Sequence, residues 1–143
     1  MTITQETDKR KYLDLLHLCE EDDEILADYL DRGELFVLSD PNPIGVCLVT
    51  KEGDGLYEIK NIAVRKDARR KGYGTALVSF VYSHYPDLAT LMAGSAENDD
   101  NQRFYLGMGF FQTYKVRHYF RANYGMEDDD DDLIIYSKTR EKA

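Results

Sequence analysis

Apolar and polar residues change period several times along this chain, and each change marks an element. Tyr12, Leu15, Leu16 and Cys19 recur at helical spacing, as do Ile25, Leu26, Tyr29 and Leu30, which predicts two short amphipathic helices ending at Gly33. Glu34–Ser39 (ELFVLS) reads as a strand, Asp40–Pro43 (DPNP) as a turn, and Ile44–Thr50 (IGVCLVT) alternates as a second strand. Lys51–Gly55 (KEGDG) closes a hairpin toward a third strand at Leu56–Val64. Ala76, Leu77, Phe80, Val81 and His84 then share one face of a helix that must end before Pro86. Leu88–Ala93 is a short apolar strand, expected to run parallel to Leu56–Val64 because a helix joins them. Ser95–Gly107 reads as a helix with Glu97, Asp99 and Asp100 in its first turn, and Gly109 ends it. Phe110–Phe120 follows as a long aromatic strand, offering a face for a homodimer, and Leu133–Ser137 closes the chain as a last strand. With no repeat, linker or composition break, residues 1–143 are expected to form a single α+β (mixed α/β) domain.

Composition removes several classes of function. A formal net charge of −9, from 27 acids against 18 bases, leaves no cation excess to neutralise a nucleic acid. The longest apolar runs are too short to span a bilayer, and MTITQETDKRK has no secretory core, so no membrane partner and cytoplasmic residence are expected. Cys19 and Cys47 form neither a CxxC pair nor a disulfide framework, and each is expected to behave as a buried apolar residue. His17, His84 and His118 lack metal-ligand spacing; structural roles and no metal are expected. The run Glu127–Asp132 (EDDDDD) reads as a solvated, self-repelling loop or as an acidic rim for a cationic ligand.

Against that acidic background one turn is basic. Arg65, Lys66, Arg69, Arg70 and Lys71 crowd between a strand and the glycine pair Gly72 and Gly74 that opens a helix. Glycines let a backbone approach a ligand closely, and the first N–H groups of a helix attract anions, so a phosphate-bearing ligand is indicated. A P-loop would need GxxxxGK[ST], and a Rossmann fingerprint a third glycine after a first strand; neither spacing is present. A plain tight turn before a helix is the alternative.

Val64 followed by Arg69-Arg70-Lys71-Gly72-Tyr73-Gly74 resembles the coenzyme A pyrophosphate loop, V-x4-[R/Q]-x-x-G-x-G, of the GCN5-related N-acetyltransferase (GNAT) superfamily. Asn98, Phe104-Tyr105 and Gly109-Phe110 resemble its second element, N-x6-Y-x3-GF. The NIAV…GYG wording and the tail around His118-Tyr119-Phe120 and Asn123-Tyr124 look like those of a group of small bacterial acetyltransferases. The resemblance covers Leu56 to Phe110 directly. It implies a GNAT-type acyl-CoA N-acyltransferase fold: a central, mostly antiparallel twisted sheet with one parallel strand pair, flanked by helices. It also implies acetyl-CoA as cosubstrate and an amine acceptor attacking the thioester directly in a ternary complex. A non-catalytic acyl-CoA-binding module, or transfer of a different acyl group, is the competing reading.

Residue by residue, the resemblance implies that the N–H groups of Lys71, Gly72, Tyr73, Gly74 and Thr75 hold the pyrophosphate, with Arg69, Arg70 and Lys71 serving it electrostatically. Ile62, Ala63 and Val64 would pair their main chain with the pantetheine arm and offer an N–H to the developing oxyanion. Asn98 would orient the cofactor or cap its own helix. Asn101 stands where the family often has alanine, which would alter packing on the cofactor. Tyr105 would protonate the leaving thiolate, with a core tyrosine as the alternative. Glu58, six residues before Val64, would take the proton that a lysine-like amine of pKa about 10.4 must lose. The alternatives for Glu58 are a surface pairing with Lys60 and a water chain as base.

Overall fold

The computed structural model describes residues 1–116 and 132–140 and divides into two compact units, Met1–Leu88 and Ala89–Ala143. In the first unit four strands lie in the order β1 (Thr2–Glu6), β2 (Glu34–Ser39), β3 (Pro43–Gly53) and β4 (Leu56–Val64), each antiparallel to the next. The pattern reading missed β1. Ile3 is its one aliphatic residue and most of the strand is exposed, so it pairs with β2 through its backbone and carries almost no apolar signal. By contrast β2 and the middle of β3 are buried on both faces and read as continuous apolar runs.

One face of this sheet carries Tyr12, Leu15, Leu16, Leu26, Tyr29 and Leu30 against Leu35, Val37, Val46, Leu48 and Ala63. These come from α1 (Leu13–Leu16), α2 (Asp23–Leu30) and the 3-10 turn Lys9–Tyr12 before α1. The first helix is therefore shorter than its apolar spacing predicts. Asp22 accepts hydrogen bonds from the N–H groups of Glu24 and Ile25, which fixes the start of α2 and forces the chain to turn before it. Cys19 consequently lies in that turn and is exposed, not on a buried helical face; Cys47 is buried as expected. Gly33 follows α2 where an added Cβ would collide with Leu48, so only glycine lets the chain enter β2 this closely.

On the opposite face α3 (Tyr73–His84) packs an aromatic group. Phe36 meets Phe80, His84 and Tyr85 at 5.6, 5.0 and 6.2 Å between ring centroids. Tyr85 stacks on Tyr57 at 4.1 Å, and the Tyr57 hydroxyl donates to Asp87 at 2.7 Å. β4 serves both faces through a bulge: Asn61 pairs with Leu48 but Ile59 pairs with Val49, leaving Lys60 as the extra residue. Buried residues still alternate along β4, yet Tyr57 turns toward Tyr85 whereas Asn61 donates to the Leu16 carbonyl at 2.9 Å and to Tyr29 at 3.1 Å.

In the second unit β5 (Thr90–Ala96), β7 (Leu133–Thr139) and β6 (Phe111–Val116) form an antiparallel three-stranded sheet with β7 in the middle. α4 spans Asp99–Gly107, not Ser95–Gly107. Ser95 and Ala96 instead continue β5, paired with Ile134 and Leu133. Asn98 then caps the helix by accepting from the Asn101 N–H at 2.9 Å. Gly109 takes a left-handed φ of +87° just past the helix, the stop that the sequence predicted. β6 is exposed along its whole described length; the remainder of the predicted aromatic strand, His118 and most of the acidic run lie outside the described residues. No helix among the described residues is long and apolar enough to cross a membrane.

Candidate functional site

β4 delivers two groups of predicted residues to one end of the first unit. The Arg65 N–H donates to the Ile44 carbonyl at 2.8 Å, so alternate N–H groups at Ala63 and Arg65 face β3. Those of Ile62 and Val64 consequently point away from β3. The Ile62 N–H lies close enough to the Cys19 sulfur to favour its thiolate. Spacing alone could not have revealed that contact, because it depends on where the chain turns after α1.

After β4 the chain makes a 3-10 turn at Lys66–Ala68 and then an irregular stretch before α3. The Arg69 guanidinium donates back to the Val64 carbonyl at 3.1 Å, closing the loop on itself. Arg70 has φ +65° and Gly72 φ +82°, so two left-handed residues bracket Lys71. Such alternation gathers successive N–H groups into an anion-binding concavity. An added Cβ at Gly72 would meet nothing within 4 Å, so glycine suits this position through its backbone conformation. Gly72 is also the N-cap of α3 and brings no side chain to the helix's first N–H groups. Arg65 is committed elsewhere, to Asp14 at 3.0 Å and the Pro43 carbonyl at 3.3 Å. Among the described residues Lys66, Arg69, Arg70 and Lys71 form no ion pair. Tyr73 donates its hydroxyl to Asp40 at 2.6 Å, tying the start of α3 to the turn before β3 and holding the Asp40 carboxyl below its usual range.

Glu58 stands on the α1 and α2 side of β4, opposite Thr50 in β3, where it is ion-paired with Lys60. Lys60 also approaches Glu52 at 3.6 Å, and Glu52 accepts from Arg32 at 2.7 Å, giving a chain of alternating charge. The Arg32 guanidinium holds the Glu52 carboxyl below its ordinary range. Pairing with Lys60 was one of the expectations for Glu58, and it keeps the carboxylate beside a cation.

In the second unit Tyr105 lies in α4, 4% exposed, stacked on Tyr136 at 4.9 Å and met edge-on by Phe104 and Phe110. Asn98 and Asn101 share one local network: Asn98 caps the helix and the Asn101 amide donates to the Ala96 carbonyl at 3.0 Å. Tyr105, Phe104 and Phe110 are thus held by ring packing, and the two asparagines by backbone bonds.

The profile of the acetyltransferase (GNAT) family matches residues 3–110. The chain belongs to that family. The uncharacterized N-acetyltransferase YvbK of Bacillus subtilis (strain 168) is 36% identical over 75 residues, covering 52% of this chain. That match covers 48% of YvbK, so this GNAT chain spans about half the length of its curated relative. Among solved structures, a GNAT family acetyltransferase from Elizabethkingia anophelis with acetyl-CoA bound is similar at TM-score 0.87 and 26% identity, with 97% of each chain covered. A Bacillus subtilis acetyltransferase in complex with CoA has the same fold, at TM-score 0.84 and 24% identity, with 96% of this chain and 97% of that one covered. The mixed α/β architecture is therefore the GNAT fold.

The Cys19 contact carries a prediction. Although the residue as a whole is exposed, protein packed around the Cys19 sulfur pushes its thiol up from the ordinary value of 9.0, more than the Ile62 N–H lowers it. Although exposed, Cys19 should alkylate with iodoacetamide more slowly at pH 7.5 than a free cysteine, because the thiolate is the nucleophile. The rate should climb with pH as the thiolate fraction grows. Mass spectrometry on the intact chain reads both; a rate at pH 7.5 equal to that of free cysteine would contradict it.

Proposed function

We propose that this GNAT chain transfers an acetyl group from acetyl-CoA to a primary amine, by direct attack of the neutral amine on the thioester in a ternary complex. The observation that carries the reading is the N-terminus of α3. No side chain caps it, two left-handed residues turn N–H groups outward beside it, and four nearby cations have no ion pair among the described residues. Acetyl-CoA bound to the Elizabethkingia relative supports the choice of ligand. The N–H groups of Lys71 to Thr75 hold the pyrophosphate, the main chain of Ile62–Val64 takes the pantetheine and the oxyanion, and Tyr105 protonates the departing thiolate. Asn98 orients the cofactor region, with Asn101 beside it. The acceptor is a cationic amine, in keeping with the net charge of −9 and the acidic run that ends at Asp132. Release of free CoA thiol across a panel of amines tests this reading; tight acetyl-CoA binding without thiol release from any amine would replace it with a non-catalytic acyl-CoA-binding module.

Glu58 accepts the amine proton. Glu58→Gln should lower kcat/KM about 10²-fold at neutral pH, the ordinary contribution of a positioned general base. The Lys60 ion pair favours a second route, in which water removes the proton and Glu58 only balances the charge chain with Glu52 and Arg32. A loss below threefold in Glu58→Gln assigns deprotonation to water.

A further inference from the structure

The second unit contains an open cavity of about 410 Å³ between the start of α4 and strands β6 and β7. Glu97, Asp99 and Gln102 line it from the α4 side, and Gln112, Ile134 and Tyr136 from the sheet. Asn98, which the acyl-transfer reading gives to the cofactor, lines it as well.

Its chemistry is one-sided. Tyr136 is 2% exposed overall, lines the cavity, and makes no hydrogen bond through its hydroxyl among the described residues. A buried phenol ordinarily finds a partner, so an unpaired one opening on a cavity marks a place where a ligand group can sit. Burial and the neighbouring Glu97 both raise its pKa, which keeps the phenol neutral with its oxygen available as an acceptor. Around it stand the carboxylates of Glu97 and Asp99 and the carbonyl oxygens of Gln102 and Gln112. Among the described residues one cation lies close by: Lys115 contacts Glu97 at 2.7 Å and Asp132 at 3.9 Å. Three carboxylates (Glu97, Asp99, Asp132) against that ammonium leave a net negative charge of about two among the described residues. Asp99 has no ion pair among the described residues, whereas Asp100 is matched by Arg103 at 3.8 Å. An anion would meet Asp99 at the mouth, which cancels the attraction of the α4 N-terminus.

We propose that this cavity, beside the Asn98 that the acyl-transfer reading gives to the cofactor, binds a primary ammonium group of a small diamine-like cation with no acyl donor present. The ammonium donates to the Tyr136 oxygen, to a Gln112 or Gln102 carbonyl and to the Asp99 carboxylate. Its methylene chain lies along Ile134. Three N–H donors directed at three acceptors satisfy the cation fully, and a neutral hydroxyl of the same size cannot match them.

The probe is 1,4-diaminobutane, titrated calorimetrically into the full chain in the absence of acetyl-CoA, with 1,4-butanediol as the uncharged counterpart. Diamine binding in the millimolar range or tighter is expected, with none for the diol. Asp99→Asn and Tyr136→Phe should each raise the diamine Kd fivefold or more. Tyr136→Phe keeps the ring stacked on Tyr105, and thermal unfolding confirms that each variant is folded. If either is unfolded, Gln112→Leu on the exposed strand β6 replaces it, with the same expected rise. No diamine binding by the unmodified chain, equal binding of diol and diamine, or unchanged Kd in folded variants would overturn the proposal. Because no acyl donor is present, that failure leaves the acetyltransferase reading intact; absence of thiol release with any amine would count against that reading and not against the cavity.

Discussion

Gly72→Asp is expected to weaken acetyl-CoA binding about 30- to 1000-fold while leaving the fold almost as stable as before. The backbone there has φ +82° and an added side chain meets no atom within 4 Å, so no steric clash arises inside the protein. The cost is conformational, about 1 kcal/mol for a left-handed residue, and aspartate tolerates that region better than most. A carboxylate at the N-terminus of α3 recovers several tenths of a kcal/mol from the helix dipole. Net stability should therefore stay within about 1 kcal/mol of the parent, read by thermal or urea unfolding. Binding responds in the opposite sense. A negative charge about 4 Å from a pyrophosphate oxygen repels it by up to about 4 kcal/mol near a protein surface. Gly72→Ala carries the same backbone cost without the charge and should lose about tenfold or less. Calorimetric titration of acetyl-CoA separates the two variants, and an affinity within threefold of the parent in Gly72→Asp would remove the pyrophosphate from this turn.

The turn could be read from the chain because its requirements are local. Paired glycines, clustered cations and a following helix all show in consecutive residues, and the tight turn at Gly72 and the start of α3 follow from them. Strands β2, β3 and β4 were equally legible, since their apolar content survives any tertiary arrangement. What could not be read depends on distant partners. Strand β1 forms because β2 offers an edge, and its own polar side chains give no hint of it. The bulge at Lys60 leaves the alternation of β4 undisturbed in sequence, yet it turns Asn61 and Tyr57 to opposite faces. Arg70 in a left-handed conformation is a further case, because arginine rarely signals that state. Glu58 and Lys60 were visible as a pair, but the extension through Glu52 to Arg32 needed β3 and the end of α2 brought together. The Cys19 contact failed for a related reason: periodicity carried the first helix past Leu16, whereas the capping group of α2 decides where it stops.

Tyr105→Phe should lower kcat about 10- to 100-fold and leave the KM for acetyl-CoA within a factor of two. The substitution keeps the ring and its contacts. Stacking on Tyr136 at 4.9 Å and the edge contacts with Phe104 and Phe110 are available to phenylalanine unchanged. Stability should fall by no more than about 1 kcal/mol, the usual worth of one hydroxyl's hydrogen bond. A thiol of pKa about 8.5 is already a fair leaving group, so its departure without a proton donor is slowed and not prevented. That bounds the loss at the size of a positioned proton transfer, well short of inactivation. The split between kcat and KM carries the test. An interaction made only as the thiolate departs lowers kcat alone, whereas a tyrosine that merely shapes the cofactor's surroundings raises KM and leaves kcat near the parent value. A tyrosine needed only for folding would instead lower the unfolding temperature while the folded fraction kept full activity. Either of those two patterns would take the acid role away from Tyr105.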